Sequence, residues 1–139
     1  MRNLITTFVF IVAACASPTI SAPIETMEWR VISIHGAAPN DAAQAPITLS
    51  FNAEEKRASG FAGCNHFGSN YHLDAQEISF GPLTATEMAC ANGMANETDF
   101  LNAMRAATAY ALVDSTLTFY NAQTHEILRF TGSTRHHKK

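Results

Sequence analysis

From Met27 onward, apolar and polar side chains alternate in short runs. Met27-Glu-Trp-Arg-Val-Ile-Ser-Ile34 puts Met27, Trp29, Val31 and Ser33 on one face and Glu28 and Arg30 on the other, the period of a half-buried strand. Ile47-Thr-Leu-Ser-Phe51 alternates the same way, with Ile47, Leu49 and Phe51 inward, and so does Glu77-Ile-Ser-Phe80. Two further short strands, Ser59 to Gly63 and Ser69 to Leu73, flank a Cys64-Asn65-His66 corner. Polar stretches separate the runs: Gly36 to Ala45 as a loop, Asn52 to Arg57 as a hairpin connection, and Gly81-Pro82 as a stop. Thr84 to Cys90 has no period and reads as an irregular loop.

The period changes once. Asn96-Glu-Thr-Asp99 reads as a helix start, with Asn96 as N-cap and Asp99 where a capping-box acid belongs. Phe100, Leu101, Met104 and Ala107/Thr108 then recur at helical spacing, so a helix should lay that stripe on the sheet. Tyr110 to Val113, Thr116 to Tyr120 and Glu126 to Phe130 return to alternation as a closing meander, with Ile127 and Arg129 set opposite Leu128 and Phe130. The predicted fold is α+β and mostly β: seven or eight short antiparallel strands with one helix inserted before the last three. Strands this short leave edges exposed unless they curl into a small, partly open barrel with the helix covering it. Trp29 reads as a core or barrel-mouth anchor.

The N-terminus has a different character. Met1-Arg2-Asn3 carries one positive side chain, and the apolar run Leu4 to Ala14 is too short for the roughly 20 residues of a membrane-spanning helix. It fits a signal-peptide core. The run ends in Val12-Ala-Ala-Cys15, which resembles a bacterial lipobox with Cys15 as the acylated residue; the alternative is an ordinary signal peptide cut near Ala22. The expected division is a signal peptide over 1–14, the lipidated cysteine and a Pro-containing tether over 15–25, one domain over 26–132 and a basic tail over 133–139. Lipoproteins of this type carry more than one acyl chain, which makes anchoring stable rather than marginal. Ala16 after the cysteine favours sorting to an outer membrane with the domain facing the periplasm; without lipidation the protein would be periplasmic or secreted.

Composition narrows function mainly by exclusion. A formal charge of −3, with 15% charged residues, offers no electrostatic footprint for nucleic acid. The one basic cluster, Arg135 to Lys139, reads as a solvated tail. Two cysteines lie inside the domain, and in an exported protein Cys64 and Cys90 suggest one disulfide; a redox-active or metal-binding pair is the other reading. No pair of histidines has the i,i+4 spacing of a helical metal site, and His66 and His72 are the pair that could be neighbours. No metal, cofactor or catalytic residue is therefore assigned. Asn65 and its glycines read as satisfying backbone groups at a tight corner, and Glu87 and Glu97 as solvated loop and helix-start residues. Thr86 and Met88 read as filling the barrel mouth, or as touching whatever binds there.

Taken together, Gly60-Phe-Ala-Gly63-Cys64-Asn65, then Phe67 and Tyr71, Ile78-x-Phe-Gly81, Thr86-x-Met88-Ala89-Cys90 and the helix with Phe100-Leu101 resemble the META domain of HslJ-like envelope lipoproteins. The resemblance covers about Met27 to Phe130; the stretch Phe67-Gly-Ser-Asn-Tyr71 departs from it, many members having a glycine closer to the tyrosine. It implies a small antiparallel barrel with a helix, an envelope location, and links to heat stress and novobiocin tolerance. It carries no defined catalytic residues, so a non-enzymatic binding or adaptor role is expected, with the membrane reached through the lipid anchor and an envelope protein or lipid as partner. The alternative it suggests is a carrier or pilot of a secretion system, holding a lipid or hydrophobic tail inside the barrel. A carrier needs an apolar cavity; a surface adaptor needs a filled core and an exposed patch.

Overall fold

A computed structural model describes residues 23–40 and 45–134. The elements are α1 (Pro23–Thr26), β1 (Met27–Ile34), β2 (Thr48–Asn52), β3 (Arg57–Phe61), β4 (His66–Asp74), β5 (Glu77–Phe80), β6 (Thr84–Ala85), α2 (Met94–Ala106), β7 (Ala109–Val113), β8 (Thr116–Tyr120) and β9 (Glu126–Thr134). The strands lie in the order β3-β2-β1-β9-β8-β7-β5-β4, every pairing is antiparallel, and β3 pairs with β4 to close the ring. The two-residue β6 runs alongside β4 beyond the end of β5. The expected class holds: a mostly β fold with the helix ahead of the last three strands. The barrel closes rather than staying partly open, and closure removes the sheet edges that short strands would otherwise expose. Its thinnest seam is β5–β7. There Glu77 opposite Ala109 is the only registered pair, flanked by bonds from Ile78 N to Thr108 O (3.1 Å) and from Tyr110 N to Gln76 O (2.8 Å). Tyr110 adds a hydroxyl bond to Ala75 O (3.0 Å), and burial, helped by the charge of Glu25, raises its pKa above the ordinary 10.0.

Alternation fills the interior. Trp29, Leu49, Phe51, Ile78, Leu117, Phe119 and Phe130 are fully buried, and the rings pack edge-to-face: Phe51 on Tyr71 at 4.9 Å and Phe119 on Phe130 at 5.1 Å. An eight-stranded barrel has an interior that side chains of this size can fill. Ile127 is buried although it was expected on the Arg129 face, because the β8–β9 register shifts between Phe119 and Tyr120.

Both barrel ends are covered. At one end α1 docks: Ile24 is fully buried, and its carbonyl accepts the Trp29 indole N–H at 2.8 Å. The buried Glu25 carboxylate accepts the Tyr71 hydroxyl and the Lys56 ammonium, the latter at 3.0 Å, while that ammonium lies 5.6 Å from the Tyr71 ring centre. Helix α1 opens at Pro23 and strand β9 ends at Thr134, a little outside the expected domain limits of 26 and 132. The predicted signal peptide, Cys15, most of the tether and residues 135–139 of the tail lie outside the described residues.

Across the other end, α2 touches β1, β5 and β9 and drives Phe100 against Phe67 of β4, ring centres 5.3 Å apart. Its buried face is Phe100, Leu101, Ala103 and Met104, close to the expected stripe. The N-cap is Gly93 rather than Asn96, so the helix begins earlier than predicted, and no capping side chain bonds its first turn. Asn96 instead donates its amide to Asn40 O at 3.1 Å.

Candidate functional site

The turn from β3 into β4 gathers most of the motif residues at the α2 end of the barrel. Gly60 is required by close approach: a Cβ there would lie 1.9 Å from the carbonyl oxygen of Thr48 on β2. Gly63 turns the chain with φ +108°, a conformation that L side chains rarely adopt, and faces the carbonyl of Gly93 at the start of α2. These two glycines bring Cys64 and Asn65 inward, where they are 2% and 3% exposed.

Asn65 is the hub. Its side-chain oxygen accepts the Met88 N–H at 2.7 Å and the Thr86 hydroxyl at 2.9 Å. Its amide nitrogen donates to Met88 O at 3.2 Å and to Glu97 Oε1 at 3.0 Å. Its backbone N–H donates to Glu97 Oε2 at 2.6 Å. One buried side chain thus ties together the β3–β4 turn, the loop after β6 and the first turn of α2. Thr86 extends the tie by accepting the His66 N–H at 3.2 Å. Cys64 and Cys90 form a disulfide, Cα atoms 5.9 Å apart, which closes the same loop covalently.

The sequence-derived residues separate into two places. Gly60, Gly63, Cys64, Asn65, Thr86, Met88, Ala89 and Cys90 lie together at this corner. Tyr71 does not: it sits further along β4 and serves the opposite end, bonded to Glu25. Thr86 and Met88 do not fill the barrel mouth, since both are exposed and α2 takes that position. Glu97, expected to be a solvated helix-start residue, is half-buried and holds Asn65 at two points. An acid in a helix's first turn was visible in the sequence; its partner across the fold was not. His66 and His72 are not neighbours either, because six residues of one strand separate them by roughly 20 Å.

Outside this polar tie lies a shallow depression of about 410 Å³, lined by Asn65, Thr86, Glu87, Met88, Met94 and Glu97 among others. Met88 is 60% and Met94 50% exposed. The hydrogen-bonding groups of Asn65 and Thr86 are already engaged with protein atoms, no Ser, Cys or His here is paired with a base, and the cysteines are oxidised. Among the described residues no group of three or more His, Cys, Asp and Glu could hold a metal ion. The arrangement holds the loop from Thr86 to Cys90 against β4 and the first turn of α2.

Solved structures share the fold. The chain is similar to a protein from Burkholderia xenovorans studied by NMR, at 27% identity over 90% of this chain and 100% of that one, with a TM-score of 0.63. A second NMR structure matches at 25% identity over 81% and 95% of the two chains, with a TM-score of 0.61. A crystal structure of a DUF4847 family protein from Bacteroides vulgatus matches at 12% identity over 82% and 97%, also with a TM-score of 0.61, and shows the fold alone. No curated protein matches the chain. The META domain family model matches residues 22–134, so it spans the closed barrel, the Asn65 corner and both covering helices, and the chain belongs to the META domain family.

Proposed function

We propose that the protein is a non-enzymatic adaptor of the bacterial cell envelope, anchored by acyl chains on Cys15 and binding partners through the surface of its barrel. The observation that carries the binding mode is the filled interior. Trp29, Phe51, Phe100, Phe119 and Phe130 occupy the space a carried lipid or hydrophobic tail would need, and α1 and α2 cover the two ends. Among the described residues, the depression beside Met88 is open at the surface. The envelope location rests on the short apolar run before Cys15 and on the Cys64–Cys90 disulfide, a bond that persists in oxidising compartments. Support of the envelope under heat or novobiocin stress follows from the family resemblance.

Fractionation of an envelope-competent bacterial host tests the anchor. The wild-type chain is expected in the membrane fraction, with a mass that lacks residues 1–14 and includes acyl chains. Cys15→Ser should move it to the soluble periplasmic fraction. An unacylated wild-type protein cut near Ala22 would refute the anchored reading.

A further inference from the structure

The outer face of the Asn65 corner combines apolar and negative character. Met88 and Met94 line one depression, and they are two of the four large apolar side chains exposed among the described residues. Glu87 and Glu97 line it too, while no Lys or Arg does. Methionine is unbranched and polarizable, so it packs against partner side chains of varied shape. A carboxylate rim attracts a cationic partner and repels an anionic one.

The depression also has a defined position in the barrel. Lys56, just before β3, bonds Glu25 of α1, and the other end of β3 leads into the Asn65 corner. The depression is therefore about one strand, roughly 17 Å, from the α1 end.

We infer that this depression docks an extended protein segment carrying a Lys or Arg beside a bulky apolar side chain. The apolar side chain packs between Met88 and Met94, and the cation meets Glu87 and the exposed part of Glu97. The inference rests on the adaptor reading above, in that the surface rather than the interior binds. The backbone groups around the depression are fixed by Asn65 and the disulfide, so little ordering opposes binding. Association should weaken as salt is raised, because the charges are solvent-exposed.

The test uses the protein as an envelope-competent host processes it, labelled with ¹³C at the methionine methyls. The probes are the peptide acetyl-Leu-Arg-Phe-Arg-Leu-amide and its counterpart with Glu in place of both Arg. The Arg peptide is expected to shift the Met88 and Met94 methyl signals saturably and to leave buried Met104 unmoved, while the Glu peptide does neither. Glu87→Lys should weaken binding about tenfold, the loss of a moderate hot spot. An unchanged Met104 signal in that variant shows the fold intact. The inference fails if Met88 and Met94 do not respond to the Arg peptide, if both peptides act equally, or if only phosphatidylglycerol vesicles shift them. Failure here with an acylated protein that holds no lipid in its barrel sinks this surface alone; an unacylated or lipid-carrying protein sinks the adaptor reading whatever the methionines do.

Discussion

Asn65→Ala is expected to lower the unfolding free energy by about 3–4 kcal/mol, a large share of what a domain of this size has. Asn65 is 3% exposed, and its side chain bonds Met88 twice, Thr86 once and Glu97 once. Each hydrogen bond nets about 1 kcal/mol, and the one to the carboxylate about twice that. Exposure of the loop lets some of the freed groups recover water, which keeps the total below the simple sum. Asn65→Asp separates bonding from shape: it fills the same volume, cannot donate, and sets a second carboxylate against Glu97. It should cost at least as much as the alanine. Glu97→Gln keeps one acceptor and should cost about half as much. Urea midpoints measure the stability, and amide exchange at Met88 measures the local release. If Asn65→Ala lies within about 1 kcal/mol of wild type and Met88 stays protected, the hub role is wrong.

The second large effect belongs to the disulfide. Replacing Cys64 and Cys90 together by alanine is expected to cost about 3.5 kcal/mol on the chain-entropy estimate for the loop they close. In a domain of roughly this size that is a fall in Tm of about 10–20 °C. Alanine at both positions leaves no unpaired buried hydroxyl, so the loss reports the cross-link. The effect should not add to that of Asn65→Ala. Cys64 Sγ lies 3.4 Å from Asn65 Nδ2, and both groups hold the loop from Thr86 to Cys90 against β4 and α2. Melting of the wild-type protein with and without reductant provides the check without any substitution. Identical curves after confirmed reduction would mean that the cross-link constrains nothing.

The barrel strands were legible because their signal is local. In Met27 to Ile34 and in Glu77 to Phe80, alternation alone predicts the strand, and the structure gives those same bounds. In the first, the inward face follows the alternation only as far as Val31, after which a register shift between Val31 and Ser33 turns Ile34 inward. What the sequence hid depends on contacts between distant positions. β4 reaches back to His66 because β3 and the short β6 pair with its first residues, which no period in His66-Phe-Gly68 announces. Asn96 has the chemistry of an N-cap, yet the helix starts at Met94, next to a Gly93 that packs against Gly63. Glu25 reads as the end of a tether because its partners, Lys56 and Tyr71, lie 31 and 46 residues further along the chain. The corner itself was half visible. Its glycines and cysteines stood out as punctuation, whereas Glu97 and Met94 gained their roles only when α2 docked beside Asn65.

The most direct test of a filled, disulfide-closed barrel that binds at its surface is native mass spectrometry of the protein from an envelope-competent host. Spectra would be taken before and after reduction and thiol alkylation. Cys64 and Cys90 should be oxidised to each other, with no alkylation without prior reduction and no non-covalent adduct of lipid mass. A lipid that stays bound under gentle ionisation, with its release exposing apolar surface, would contradict the account and place binding inside the barrel.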